Sequence, residues 1–160
     1  MFKRMDIDEV KYYIKHSSAE TRIYIGVDSE RVRIDNEWFA DYTLAVVVHK
    51  DGNNGCRIYG EVVRERDYDK KMNRPSFRLM NEVYKVSQLY LDIYDALDDR
   101  HCEVHLDINP DEMHGSSCVL NQAIGYIRGT CNIIPMVKPD AFAASYAADR
   151  LKELLNRRVA

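Results

Sequence analysis

The chain lacks the features that mark several large classes of protein. No apolar run approaches the roughly 20 residues that a membrane-spanning helix needs, and the start "MFKRMDIDEV" has no apolar segment of the secretory type. The four cysteines stand singly, without a C-x-x-C pair or a histidine at zinc-finger spacing. We therefore expect a cytoplasmic protein with reduced thiols, no membrane contact and no zinc finger.

A dominant charge of one sign is also missing. The 23 basic and 26 acidic side chains leave a net charge of −3 at pH 7, which excludes a protein that coats nucleic acid by overall charge. A local basic segment remains in "RERDYDKKMNRPSFR", where six basic residues surround Tyr68: Arg64, Arg66, Lys70, Lys71, Arg74 and Arg78. This segment is either a substrate-binding edge or a solvated loop of mixed charge.

Repeats, low-complexity tracts and linkers are absent from the 160 residues. A chain of this length can bury a substantial core without disulfides or metal staples. We therefore predict a single domain over residues 1–160, with residues 1–20 as an N-terminal helical extension.

The apolar pattern predicts both strands and helices. Alternation in "TRIYIGVDSERV", "WFADYTLAVVVHK" and "CRIYGEVVRE" predicts a three-stranded antiparallel meander, and "PSFRLMNEVYKVSQLYLDIYDAL" has helical spacing. A strand (Glu103 to Asn109), a helix (117–128), a strand (132–137) and a helix (141–157) are expected to follow. With a short first helix (6–16), this order predicts an α/β fold whose five-stranded mixed sheet is flanked by helices.

Five acidic residues occupy positions that an ordinary surface charge does not need. Asp28 and Asp107 each end an apolar strand, in "IYIGVD" and "EVHLD", and functional groups gather beyond the carboxyl ends of neighbouring strands. Glu82 borders the packed face of the long helix. Asp140 precedes the last helix and Asp149 lies inside it. Each also has a purely structural explanation, as a partner of loop amides, a snorkelling side chain, a helix cap or a surface ion pair.

A cluster of these acids would need compensation. Two carboxylates about 4 Å apart repel by roughly 4 kcal/mol at an effective dielectric of about 20. Oxygen-only clusters bind Mg²⁺ or Mn²⁺, and two such ions can activate water for phosphodiester hydrolysis. If the acids meet in space, they indicate phosphoryl chemistry.

Four segments also resemble a known family. "YIGVDSE", "EVHLDINPD", "SSCVLNQAIGYIRG" and "VKPDAFAASYAADR" are similar to the YkuK group of ribonuclease H-like proteins, over nearly the whole chain from about Arg22 to Arg150. The combination of "HLDINPD" with "KPDAFAAS" is specific, whereas "GVDS" alone is weak. The resemblance implies the ribonuclease H fold, which agrees with the predicted order of elements.

The resemblance further implies a role for each acid. Nucleases of this fold hold two divalent ions with an aspartate on the first strand, which matches Asp28, an acid on the first core helix, which matches Glu82, and an aspartate at the end of the fourth strand, which matches Asp107. The fourth acid comes from the last helix or its entrance. Asp140 is preferred because it stands at the helix start, and Asp149 competes with it.

The implied function is a divalent-metal-dependent nuclease that acts on RNA, DNA or their hybrid. In that case His114 could transfer a proton, and Lys138 could contact a phosphate or neutralise the acids; a loop histidine and a rim lysine are the structural alternatives. The competing hypothesis is an inactive module that binds nucleic acid or a protein. An Asp-x-Asp phosphatase is a third, weakened because Ser29 and Glu30 follow Asp28.

Overall fold

The computed structural model describes residues 4–52, 55–69, 75–111 and 119–142, together with Asp149 and Glu153. These residues form three α-helices, a short 3-10 helix (Lys50–Gly52) and four strands. In chain order the α-helices and strands are α1 (Ile7–Lys15), β1 (Arg22–Ile34), β2 (Glu37–His49), β3 (Cys56–Arg66), α2 (Ser76–Leu97), β4 (His101–Leu106) and α3 (Leu120–Cys131). The predicted mixed α/β fold is confirmed. Within this part of the chain, no helix combines the length and apolar character needed to cross a membrane.

The four strands form one mixed sheet in the order β3-β2-β1-β4. The first three strands are antiparallel neighbours, as predicted, and β4 pairs with β1 in parallel. Asp35 and Asn36 connect β1 to β2 with positive φ angles of 49° and 65°. Asparagine and aspartate tolerate this conformation, and a two-residue turn of this kind matches the twist of a hairpin.

The main core lies between the sheet and the helices. Alternate residues of β1, including Ile23, Ile25 and Val27, are fully buried in a cluster that also contains residues of α1, α2 and α3. The opposite face holds a smaller cluster around Ala45 and Val47. We call the first surface the helix face and the second the rear face. Successive side chains of a strand point to opposite faces of the sheet. The position of a polar residue relative to these buried residues therefore decides on which face it lies.

The expected fifth strand, 132–137, is not confirmed. Within the described residues, this segment contributes an isolated parallel bridge between Met136 and His105. The N–H of Leu106 donates to the Met136 carbonyl at 2.9 Å, and the N–H of Met136 donates to the Val104 carbonyl at 2.8 Å. Pro135 stands immediately before the bridge, and because proline has no N–H it limits the ladder there.

Other boundaries differ from expectation by a few residues. The strand expected at 103–109 is β4, which ends at Leu106, so that Asp107 lies just beyond it. The helix expected at 117–128 is α3, which begins at Leu120. Of the expected last helix, Phe142, Asp149 and Glu153 are described and have helical backbone.

Candidate active site

Asp28 and Asp107 lie next to each other where the parallel pairing of β1 with β4 ends. Val27 pairs with Leu106 in the β1–β4 register, and the two aspartates are the next residues along each chain. Paired strands are about 4.8 Å apart. Because Val27 and Leu106 belong to the core of the helix face, alternation puts both carboxylates on the rear face. The structure therefore brings these two predicted acids together.

Lys138 lies against this pair. Its Nζ is 2.7 Å from Asp107 Oδ1, an oxygen that is shielded from solvent. The backbone N–H of Lys138 donates to the Ile108 carbonyl at 3.1 Å, so the lysine runs alongside the end of β4. The hydrogen bond to Asp107, reinforced by the negative charges of Asp107, Asp28 and Asp149, raises the pKa of Lys138. A protonated lysine thus lies among three of the predicted acids.

The two acids of the C-terminal segment occupy different positions. Asp149 is exposed on helical backbone, and its charge is one of those that raise the pKa of Lys138. Asp140 is exposed in a bend, where its N–H donates to the Val137 carbonyl at 2.9 Å. The electrostatic effect on Lys138 links Asp149 to the Asp28 and Asp107 pair.

Glu82 approaches the site from the helix face. Its Oε1 accepts a hydrogen bond from the Ser29 hydroxyl, and the side chain is 1% exposed. Its Oε2 is buried and accepts no hydrogen bond from the described part of the chain. Burial raises the pKa of Glu82 to about 8; the charges of Asp28 and Asp107 act in the same direction, while Ser29 and Arg78 oppose it. Burial therefore favours the neutral acid form of Glu82.

The start of α2 is tied to β1 by a hydrogen-bond network. Both carboxylate oxygens of Asp69 accept backbone N–H groups at 2.9 Å, one from Phe77 and one from Arg78. The Arg78 guanidinium donates to the Ser29 carbonyl at 3.0 Å and to its hydroxyl at 2.7 Å. Arg78, predicted as part of a basic substrate-binding edge, thus braces the strand that carries Asp28.

The sequence interpretation missed both Ser29 and Asp69. For Ser29 a signal existed, because a hydroxyl that directly follows Asp28 must point to the opposite face of β1. For Asp69 there was none, since its contact with the first turn of α2 spans eight and nine residues.

The other basic residues of the predicted edge are partly paired. Arg64 holds Asp41 through two hydrogen bonds of 2.6 and 2.8 Å, and Arg66 lies 3.1 Å from Glu37. Tyr68 is 69% exposed, with the Arg66 guanidinium 6.0 Å from its ring centre. The remaining predicted residues, Lys70, Lys71, Arg74 and His114, lie outside the described residues.

A cleft opens beside the acids. Its volume is about 730 Å³, and the described residues that line it are Asn109, Pro110, Asp111, Lys138 and Pro139. It lies past the carboxyl end of β4, the edge at which open α/β sheets bind their ligands. Lys138, which pairs with Asp107, connects this cleft to the acids.

The donor chemistry of the site suits a hard divalent cation. Asp28 and Asp107 offer carboxylate oxygens, which Mg²⁺ and Mn²⁺ prefer, and the buried Oε2 of Glu82 can be satisfied by a proton or by a cation. Within the described ranges, no three His, Cys, Asp or Glu side chains form a ready-made metal site. The carboxylate oxygens are suitable ligands for such an ion, but one of them, Asp107 Oδ1, is paired with Lys138.

The comparisons with known proteins agree with this architecture. The model of a family described as "Ribonuclease H-like" matches residues 6–153, most of the chain. No curated protein and no solved structure gives a significant match.

Proposed function

The chain belongs to the YkuK group of ribonuclease H-like proteins, and from this premise we propose that it is a divalent-metal-dependent nuclease. It would hydrolyse phosphodiester bonds of RNA or DNA, in an RNA–DNA hybrid or another structured nucleic acid. The observation that carries the proposal is the β1–β4 register, whose last pair is Val27 with Leu106, so that Asp28 and Asp107 follow side by side. Two carboxylates side by side repel each other unless a proton or a cation accompanies them.

Asp28 and Asp107 would hold the metal through their carboxylates, and Asp149 or Asp140 would complete the set from the C-terminal segment. Two Mg²⁺ or Mn²⁺ ions held there would supply the Lewis-acid chemistry for phosphodiester hydrolysis. Glu82 acts on the strand from the helix face, because its hydrogen bond with Ser29 fixes the residue next to Asp28. The acids are thus positioned by the sheet on one side and by α2 on the other.

Nucleic acid is the proposed partner, and local features rather than net charge would bind it. The cleft beside Lys138 can receive a phosphate, and the exposed ring of Tyr68 can stack on an unpaired base. Arg64 and Arg66 are already paired with acids, so their attraction for phosphate is reduced.

Cleavage assays with the purified full-length chain test the proposal. An RNA–DNA hybrid, a branched DNA and single strands are incubated with Mg²⁺ or Mn²⁺. We expect cutting that EDTA stops and that Asp28→Asn and Asp107→Asn each reduce at least a hundredfold, about 2.7 kcal/mol of transition-state stabilisation.

A matched substitution controls for general effects of lost charge. Asp92 is exposed on α2, where it accepts a hydrogen bond from Gln88 at 2.9 Å, and Asp92→Asn should cut like the wild type. Circular dichroism checks that all variants are folded. Cutting that persists at the wild-type rate in both Asp28→Asn and Asp107→Asn would refute the proposal.

One observation favours a second candidate, a catalytically inactive module that binds nucleic acid or a protein partner. Lys138 pairs with Asp107 at 2.7 Å and so neutralises part of the acidic site without a metal. An inactive module would bind nucleic acid equally well in EDTA and in Mn²⁺, and it would turn over no substrate of the panel. The nuclease requires turnover of at least one substrate, in Mg²⁺ or Mn²⁺ and not in EDTA.

A further inference from the structure

The contact between Lys138 and Asp107 conflicts with metal binding at the same carboxylate. Lys138 Nζ lies 2.7 Å from Asp107 Oδ1, and a Mg²⁺ ion bound to that oxygen would lie about 2.1 Å from it. An ammonium group and a metal ion cannot share one lone-pair direction at these distances. Even if the ion used the other oxygen, two cations only a few ångströms apart would repel each other.

The geometry allows the lysine side chain to leave without a change in the backbone. The Lys138 side chain is 45% exposed, and it borders the cleft of about 730 Å³ that also contains Asn109 and Pro139. Its backbone N–H stays on Ile108, so rotation about side-chain bonds is sufficient. Asp107, in contrast, is held directly after a buried strand.

In the metal-free protein, the contact between Lys138 and Asp107 reduces the electrostatic repulsion within the acidic site. The negative charges of Asp28, Asp107 and Asp149 all raise the pKa of Lys138. In return, the lysine ammonium group reduces the repulsion among the three carboxylates. The same contact makes metal entry less favourable, because binding must first break a charge-assisted hydrogen bond.

We propose that the Lys138 ammonium group occupies the place of a metal ion in the metal-free protein. It forms an ion pair with Asp107 there, and this ion pair breaks when a divalent ion binds to Asp107. Lys138 thereby sets the metal affinity of the site. The proposal rests on the proposed function in one respect, namely that Asp28 and Asp107 bind a divalent ion.

Metal binding by the full-length chain, without any substrate, tests this exchange. Isothermal titration with Mn²⁺ is compared for the wild type, Lys138→Met and Lys138→Arg. Methionine keeps the length of the side chain without its charge, so we expect Lys138→Met to bind Mn²⁺ about tenfold more tightly. Arginine keeps the charge, so Lys138→Arg should stay within about threefold of the wild type. Without metal, Lys138→Met should melt at a lower temperature than the wild type, because Asp107 loses its partner.

Lys11→Met is the matched control. Lys11 Nζ lies 2.9 Å from Asp95 Oδ2, a comparable ion pair between α1 and α2, and its loss should leave the Mn²⁺ affinity unchanged. Equal or weaker Mn²⁺ binding by Lys138→Met would overturn the exchange, and so would a tenfold gain in Lys11→Met.

The result also separates this inference from the function on which it rests. If the wild type and Lys138→Met bind Mn²⁺ equally and Asp107→Asn does not bind it, the metal site stands and the exchange is wrong. If no variant binds Mn²⁺, both fail. If Lys138→Met binds more tightly but nothing is cut, the exchange stands and the nuclease proposal fails.

Discussion

At the scale of single residues, the acids of the site fall into two groups on opposite faces of the sheet. Asp28 and Asp107 lie on the rear face, where Lys138 balances them. Glu82 lies on the helix face, sealed from solvent and hydrogen-bonded to Ser29. A carboxyl group in such surroundings prefers its neutral form, because burial disfavours the charge. Burial on the helix face therefore favours the uncharged form of Glu82.

Glu82 predicts a dependence of stability on pH. Its pKa is about 8 in the folded chain and about 4.3 in an unfolded one, so between these values the folded state holds a proton that the unfolded state has lost. The contribution of Glu82 to the free energy of unfolding should therefore fall as pH rises from about 4.5 to 8, by up to about 1.4 kcal/mol per pH unit. Glu82→Gln, which cannot ionise, should remove this decline.

Urea denaturation in EDTA between pH 5 and pH 8 measures the effect. The stability of Glu82→Gln relative to the wild type should increase steadily over this range. Glu20→Gln, at an exposed position before β1, serves as a control and should follow the wild type. Parallel curves for the wild type and Glu82→Gln would show that Glu82 is ionised in the folded chain.

At the scale of secondary-structure elements, α2 depends on a distant residue for its first turn. The residue before the helix, Pro75, makes no side-chain cap. Asp69 takes this role from the segment after β3, with one carboxylate oxygen on each of two backbone N–H groups. The same turn carries Arg78, which donates to Ser29 beside Asp28. The cap of α2 therefore also stabilises the surroundings of the acids.

Asp69→Ala should lower the free energy of unfolding by about 1 to 2 kcal/mol, the usual effect of losing a helix cap. Asp69→Asn keeps one acceptor oxygen and should have a smaller effect. Chemical denaturation measures both, with Asp92→Ala on the exposed side of α2 as a control. A loss in Asp69→Ala no greater than in the control would mean that water replaces the cap.

The elements themselves follow largely from local sequence. Alternation predicted β1, β2 and β3, and helical spacing predicted α2, because each pattern reflects burial on one side of an element. The fifth strand expected at 132–137 is not confirmed. The described residues show an isolated bridge at Met136, and Pro135 before it has no N–H to donate to a ladder. Local patterns also could not reveal the bond between Ser29 and Glu82, which spans 53 residues.

At the scale of the whole molecule, the site depends on segments that are far apart in the chain. β1 supplies Asp28, the end of β4 supplies Asp107, and the segment after α3 supplies Lys138. Phe142 continues this last segment across the rear face, where its ring packs 5.0 Å from Tyr24 and 4.8 Å from His105. Asp107 follows the end of β4, as the sequence predicted, whereas Asp28 lies inside β1, which continues to Ile34. The sequence suggested that Lys138 could neutralise the acids, but its choice of Asp107 as partner is a product of tertiary packing.

This packing also bears on which acid of the C-terminal segment joins the site. The sequence favoured Asp140, because it stands at the expected start of the last helix. In the folded chain, however, it is the charge of Asp149 that raises the pKa of Lys138. A metal ion that replaces the Lys138 ammonium group near Asp107 should also be attracted by the negative charge of Asp149. We therefore expect Asp149→Asn to weaken Mn²⁺ binding about tenfold, and Asp140→Asn to change it much less.

The rise in melting temperature on adding Mn²⁺ measures this difference over the whole molecule. At a metal concentration 100 times the dissociation constant, a bound ion stabilises the folded state by about 2.7 kcal/mol, and a tenfold weaker site reduces this to about 1.4 kcal/mol. Asp149→Asn should show the smaller rise, with Asp140→Asn as its internal control. The reverse order would assign the role to Asp140. If both variants rise as much as the wild type, neither C-terminal carboxylate contributes to metal binding, and the binding acids are restricted to Asp28 and Asp107.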